Sequence, residues 1–372
     1  MTAGVYLHIP FCKSRCSYCD FATDVYRSAG AVERYVDALV KEIGGFENGN
    51  IAVDTIYFGG GTPSLLAPAQ VERILGAVAR KFDVSPEIEL TMEMNPATVA
   101  PETLSDYRSL GVNRASFGVQ TFNDTDLKRL ARGHSAQDAR DTLKMLREAG
   151  FDNVSFDLIA GLPRQTLKDW EANMDEALAL APEHLSLYLL EIHEGTPLAL
   201  QIRSERQPLP DEDLAAEMYE LLVEKTAAAG LRQYEISNFS RPGRESRHNS
   251  KYWLLDPVYA FGVSAHSFDG AHRYANERET AAYVNLIEKL GSAEDFREVT
   301  NVASEFVFLG LRMTEGIDLA EYEKRFGVDL AAERAADLEE IAEAGLIEFA
   351  DGRMRLTRRG MLYSNEVFRV FI

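Results

Sequence analysis

The sequence predicts an α/β protein: a partial, TIM-like (β/α)6 barrel followed by a small C-terminal α+β domain. Two patterns lead there. Six apolar, strand-like runs alternate with amphipathic, helix-like segments as far as about residue 190, the arrangement that builds a parallel sheet from βαβ units. From about Val299 the alternation stops, and helices close on a short hairpin. Six strands instead of eight leave such a barrel open.

The strand-like runs are Val5–Phe11, Val53–Phe58, Ile88–Met94, Arg114–Val119, Val154–Ile159 and His184–Leu190. Helices are expected over Ala31–Gly44, Pro68–Phe82, Glu102–Leu110, Ala136–Ala149 and Leu167–Leu180. Pro68 and Pro101 stand where a helix begins, Gly111 and Gly150 where one stops. Beyond Pro197 the pattern changes to one long amphipathic helix over Pro210–Gly230 and a short strand or edge over Gln233–Phe239. Helices over Asn301–Met313, Leu319–Phe326 and Leu330–Ala344 precede two short strands about Asp351-Gly352, which resembles a winged helix. The expected division is a barrel domain at 1–235, a connecting region at 236–298 and a C-terminal domain at 299–372.

The chain has 372 residues, enough for a sizeable core, with an ordinary 46% hydrophobic and 26% charged content. Its 59 acidic against 39 basic residues give a net charge of −20, which argues against nucleic-acid binding. Arg353, Arg355, Arg358 and Arg359 therefore read as a solvated wing or interaction surface. No apolar run has the length of a membrane span and no signal pattern precedes Cys12, so a cytoplasmic location is expected. All three cysteines fall within eight residues, leaving no disulfide framework.

Those cysteines organise the chemistry. Cys12, Cys16 and Cys19, spaced Cys-x-x-x-Cys-x-x-Cys, can cap three irons of a cubane iron–sulfur cluster and leave the fourth open to an exchangeable ligand. Packed thiols or half of a zinc site are the alternatives. On a parallel sheet, functional groups belong at the carboxyl ends of the strands. Gly59-Gly60-Gly61-Thr62-Pro63 follows the second run, as a ligand-approaching or a simple turn. Glu93 and Gln120 close the third and fourth runs, and Asp157 lies inside an apolar run where a buried acid needs a partner. In Arg247-His248-Asn249-Ser250-Lys251-Tyr252-Trp253, His248 is either a core corner or an iron ligand beside a flat aromatic wall.

The cysteine spacing with Tyr18, preceded by Tyr6-Leu7-His8-Ile9-Pro10-Phe11, resembles the radical S-adenosylmethionine (SAM) superfamily. Within it, the stretch looks like the branch of oxygen-independent coproporphyrinogen III oxidase (HemN-like) and the HemW-type heme chaperones. The resemblance implies a [4Fe–4S] cluster on Cys12, Cys16 and Cys19, with SAM on the open iron and cleavable to a deoxyadenosyl radical. It implies SAM contacts from Tyr6, Tyr18, Gly60, Gly61, Thr62, Glu93, Gln120 and Asp157. Arg132 or Arg129 would reach the SAM carboxylate. His-Asn-x-x-Tyr-Trp resembles the chaperones' heme-associated motif and implies heme binding by His248, Asn249, Tyr252 and Trp253. His266, in Gly262-Val263-Ser264-Ala265-His266-Ser267, is a second candidate ligand or an ordinary loop histidine.

Two departures separate the chain from the oxidase. Phe21 stands where that enzyme has a further cysteine, and only eleven residues precede Cys12, so its substrate-enclosing extension is not expected. The expected function is therefore a heme chaperone that hands heme to a membrane-associated or respiratory acceptor protein, with monomer and dimer both open. The alternatives are a radical SAM enzyme acting on a tetrapyrrole and a methyltransferase.

Overall fold

The structure, a computed structural model, describes residues 2–47 and 50–372. Six parallel strands form its centre: β1 (Ala3–Ile9), β2 (Ile51–Gly60), β3 (Phe82–Met94), β4 (Arg114–Gln120), β5 (Val154–Ala160) and β6 (His184–Leu189). They pair in chain order, as the six apolar runs predict. Between them lie α1 (Ala29–Gly45), α2 (Pro68–Lys81), α3 (Pro101–Ser109), α4 (Ala136–Glu148) and α5 (Leu167–Ala179). Local chemistry sets their ends. Pro68 and Pro101 occupy first positions, while Ser135 with Asp138 and Thr166 with Asp169 close capping boxes on α4 and α5. Gly111 (φ 97°) and Gly150 (φ 84°) take the left-handed backbone just beyond α3 and α4.

Residues after α6 (Glu212–Ala228) do more than connect. The expected single strand over Gln233–Phe239 is a hairpin, β7 (Arg232–Glu235) and β8 (Asn238–Ser240), that extends the sheet beyond β6. The helix α7 (Arg247–Trp253) leads to β9 (Val258–Phe261), which joins β1 in parallel on the opposite flank. Three antiparallel strands continue there: β10 (His266–Phe268), β11 (His272–Asn276) and β12 (Glu294–Val299). The result is a twelve-stranded sheet, to which the segment 236–298, read from the sequence as a connection, supplies strands on both flanks. Strands of three to six residues are too short to show a hydrophobic period.

The C-terminal region folds on its own apolar cluster, including Val307, Leu311, Tyr322, Leu338 and Met354. Its elements are α8 (Val302–Gly310), β13 (Ile317–Asp318), α9 (Leu319–Phe326), α10 (Leu330–Glu333), α11 (Ala335–Glu343), β14 (Ile347–Ala350) and β15 (Arg353–Leu356). The strands pair in the order β13-β15-β14, a winged arrangement, and the wing turns through Asp351 (φ 54°) and Gly352 (φ 75°). The helix expected over Leu330–Ala344 is broken at Arg334 (φ −112°, ψ 24°). Among the described residues no helix is long and apolar enough to cross a membrane.

Period-two alternation decides what the central strands present to each side. Val5, Leu7, Ile56, Phe58, Leu90, Met92, Phe117, Phe156 and Leu185 pack in the main apolar cluster with the helices. Their alternates are Tyr6, Thr55, Tyr57, Glu89, Thr91, Glu93, Arg114, Ser116, Ser155, Asp157, His184 and Ser186, and register keeps them in neighbouring rows. The barrel interior is thus polar, unlike the aliphatic filling of a closed (β/α)8 barrel.

Candidate functional site

The three cysteines lie beyond the carboxyl end of β1, in a loop tied down from several directions. Gly61 N–H donates to Ile9 O (2.8 Å), Asp24 N–H to Pro10 O (2.8 Å), Tyr26 N–H to Cys12 O (2.8 Å) and Ser17 N–H to Leu130 O (2.9 Å). All three thiols are half-buried and unpaired. Burial pushes the Cys12 thiol up to about 11 and raises that of Cys19, so binding a metal here requires proton release.

One polar chain joins the cysteines to the strand ends. Thr62 Oγ1 donates to Cys12 Sγ (3.6 Å), Asn95 Nδ2 donates to Thr62 Oγ1 (2.8 Å), and Arg132 Nη2 donates to Asn95 Oδ1 (2.5 Å) and Gly118 O (2.6 Å). The other terminal nitrogen of Arg132 lies 3.4 Å from both Cys16 Sγ and the Tyr18 hydroxyl. Arg129, the competing candidate, instead pairs with Asp126 at 2.6 Å. Asn95 escaped the sequence reading. Its signal is its place directly after β3, at a strand end.

Glu93 accepts from the Tyr57 hydroxyl (2.8 Å) and from Gly60 N–H (3.0 Å), so it buttresses the glycine turn. Burial pushes its carboxyl up to about 7. Asp157 finds the partner its apolar run demanded in the Ser116 and Ser186 hydroxyls, and burial raises it too. Gln120 ends β4 with φ 66°, a strained backbone for a non-glycine residue. A Cβ on Gly118 would meet Gln120 Nε2 at 2.5 Å, and one on Gly61 would meet Pro10 O at 2.6 Å. Gly61 is therefore required by close packing against backbone, whereas at Gly118 the neighbour is the end of a flexible side chain.

The donor set fits a bound cluster and ligand. Among the described residues the buried Arg132 Nε has no hydrogen-bond partner, an open donor on the guanidinium that reaches Cys16. Among the described residues no three Cys, His, Asp or Glu side chains gather about one point as a zinc ion requires. A cubane takes each thiolate on a different iron, and three thiolates leave its fourth iron open.

The His-Asn-x-x-Tyr-Trp helix α7 lies elsewhere, closing the amino end of the barrel. Glu89 accepts from Arg247 N–H (3.1 Å) and His248 N–H (3.0 Å), capping the helix, while Lys251 pairs with Asp54 (2.8 Å) and donates to Thr2 O (2.8 Å). His248 is 1% exposed, with Nδ1 2.9 Å from Thr55 Oγ1 and Nε2 3.2 Å from the Tyr252 hydroxyl. Both ring nitrogens thus have hydrogen-bond partners within the barrel floor. Asn249 contributes its backbone N–H to the Ser246 cap. Tyr252 and Trp253 do line a cavity of about 430 Å³ with Arg273, Glu305, Phe308 and Leu309. The Arg312 guanidinium lies 4.2 Å from the Trp253 ring centre. His266 is exposed beside Phe296, on the antiparallel flank and apart from His248.

Three thiols at the mouth of an open parallel barrel, with a glycine turn after β2, define the chain's class. Residues 6–177 match the Radical SAM superfamily and residues 299–363 the HemN C-terminal domain. Coproporphyrinogen III oxidase (HemN) from Escherichia coli, a radical SAM enzyme, superposes with a TM-score of 0.87 at 25% identity, covering 100% of this chain and 90% of that one. The heme chaperone HemW of Bacillus subtilis (strain 168) is 38% identical over 99% of both chains. That of Escherichia coli (strain K12) is 33% identical over 99% of this chain and 98% of its own length. The chain belongs to the HemW heme chaperone family.

Proposed function

We propose that the chain is a heme chaperone, which binds heme and passes it to an acceptor protein. In this reading Cys12, Cys16 and Cys19 hold a [4Fe–4S] cluster, with SAM on its fourth iron. The observation that carries the heme half is the cavity at Tyr252 and Trp253, where two aromatic faces from the barrel floor meet Phe308 and Leu309 of α8. Flat apolar walls suit a porphyrin, and the Arg273–Glu305 ion pair gives the cavity one polar edge. The full-length likeness to proteins named heme chaperones supports the same reading.

Tyr6, Tyr18, Gly60, Gly61, Thr62, Glu93, Gln120, Arg132 and Asp157 would surround SAM. Held by Cys12, Cys16 and Cys19, a cluster would supply reducing chemistry to bound SAM. The protein's own groups bind and orient: Arg132 presents donors to a carboxylate, and Glu93 presents an acceptor to an amine. The acceptor would be a membrane-associated or respiratory protein served from the cytoplasm.

The test is anaerobic heme titration of the reconstituted protein, followed by absorption, beside an assay of SAM cleavage with coproporphyrinogen III. Stoichiometric heme binding without porphyrinogen turnover is expected. Trp253→Ala should weaken heme binding by about tenfold through loss of one aromatic wall. Porphyrinogen turnover without stable heme binding would return the chain to oxidase activity.

A further inference from the structure

The floor helix and the cysteine loop lie at opposite ends of the barrel, yet the structure joins them through one column of rings. His248 stacks on Tyr57 with ring centres 5.1 Å apart and planes 26° from parallel. Tyr57 in turn stacks on Tyr6 at 6.0 Å and 22°. The Tyr57 hydroxyl donates to Glu93 Oε1 at 2.8 Å, and Glu93 Oε2 holds Gly60 N–H at 3.0 Å. Thus His248 is two contacts from the carboxylate that braces the glycine turn.

We propose that His248 is a positioning residue of the SAM site: its ring, fixed from the barrel floor, holds Tyr57 and through it the Glu93 carboxylate in the orientation that receives SAM.

Three features of its setting suit that task. Both ring nitrogens are committed, one to Thr55 on β2 and one to Tyr252 of its own helix. The helix cannot slide away from the strands, because Glu89 caps it and Lys251 and Arg247 both pair with Asp54. Burial also holds the imidazole neutral, pushing it down to about 3, so the ring brings no charge toward Glu93. A flat, uncharged ring is a support for Tyr57 that a rotating aliphatic side chain cannot reproduce.

The inference rests on SAM binding at the cluster, and its test separates the two. The reconstituted full chain is titrated with SAM under reducing conditions, reading the change in the cluster's electron paramagnetic resonance signal, and the same preparations are titrated with heme. His248→Ala and Tyr57→Phe should each weaken SAM by about tenfold, the scale of one misplaced charge-assisted hydrogen bond. His248→Phe keeps a flat ring against Tyr57 and should stay within about threefold of the natural protein for SAM. Unaltered SAM affinity in His248→Ala overturns the proposal, as does a folded His248→Phe that loses SAM as fully as His248→Ala does. A poorly folded His248→Ala leaves His248→Leu to decide, because that variant fills the space with a side chain that has no flat ring, and unaltered SAM affinity in it overturns the proposal. If the natural protein shows no spectral response to SAM, the SAM reading itself fails and the proposal falls with it.

Discussion

Glu93 is the residue at which protonation and ligand binding meet. Its carboxyl ionises near 4.5 when free and near 7 in the fold, because burial outweighs the hydrogen bonds from Tyr57 and Gly60. Between those values the folded state holds a proton that the unfolded chain has lost, so this group's contribution to stability falls as pH rises from about 4.5 to about 7. Glu42, buried among Tyr283, Gly262 N–H and Asn276, is pushed up to about 7 and adds in the same direction. Ligand binding runs the other way, since an amine prefers the ionised carboxylate. SAM affinity should therefore rise as pH passes through about 7, and Glu93→Gln should flatten that profile. The same substitution should shrink the drop in melting temperature between mildly acidic and mildly alkaline buffer. A Glu93→Gln protein with an unaltered pH profile would exclude Glu93 as the group responsible.

At the scale of elements, the glycine turn after β2 and the cysteine loop after β1 are built as one unit. Gly61 N–H bonds to Ile9 O, and a Cβ at Gly61 would press on the Pro10 and Phe11 carbonyls. Gly61→Ala must therefore move the chain immediately before Cys12. We expect reconstitution to incorporate markedly less iron and sulfide in this variant, with little change in far-ultraviolet circular dichroism. Full iron loading would show the two loops to be independent. The importance of Gly60 and Gly61 was readable from sequence as a glycine run, but the reason was not. With Gly60 paired to Ile9 across the ladder, the His8 ring leaves no room at Gly60 and the Pro10–Phe11 backbone none at Gly61. Tyr57 was unreadable for a related cause. A tyrosine in an apolar run looks like filling, and only strand register turns it toward Glu93.

At the scale of the whole molecule, the C-terminal domain is latched to the barrel through Glu235. This carboxylate is fully buried, accepts from Ser237 N–H and Asn238, and lies 3.6 Å from Arg312, whose guanidinium also covers Trp253. Arg312→Ala leaves a buried acid without its cation, a loss of about 3–5 kcal/mol. It should lower the calorimetric transition and speed proteolysis at the domain junction, and an unchanged transition would show that the latch carries no stability. The sequence by itself determined the six-stranded parallel core, the helices between its strands, the clustered thiols and the winged C-terminal domain. Each of these rests on local periodicity, caps or spacing, which the chain carries over short distances. Tertiary structure alone decided that residues 236–298 extend the sheet on both flanks, that Arg132 and not Arg129 turns to the cysteines, and that His248 faces inward. Those outcomes depend on partners more than a hundred residues away, such as Cys16 for Arg132 and Thr55 for His248, and no local pattern records which distant groups the packed sheet brings together.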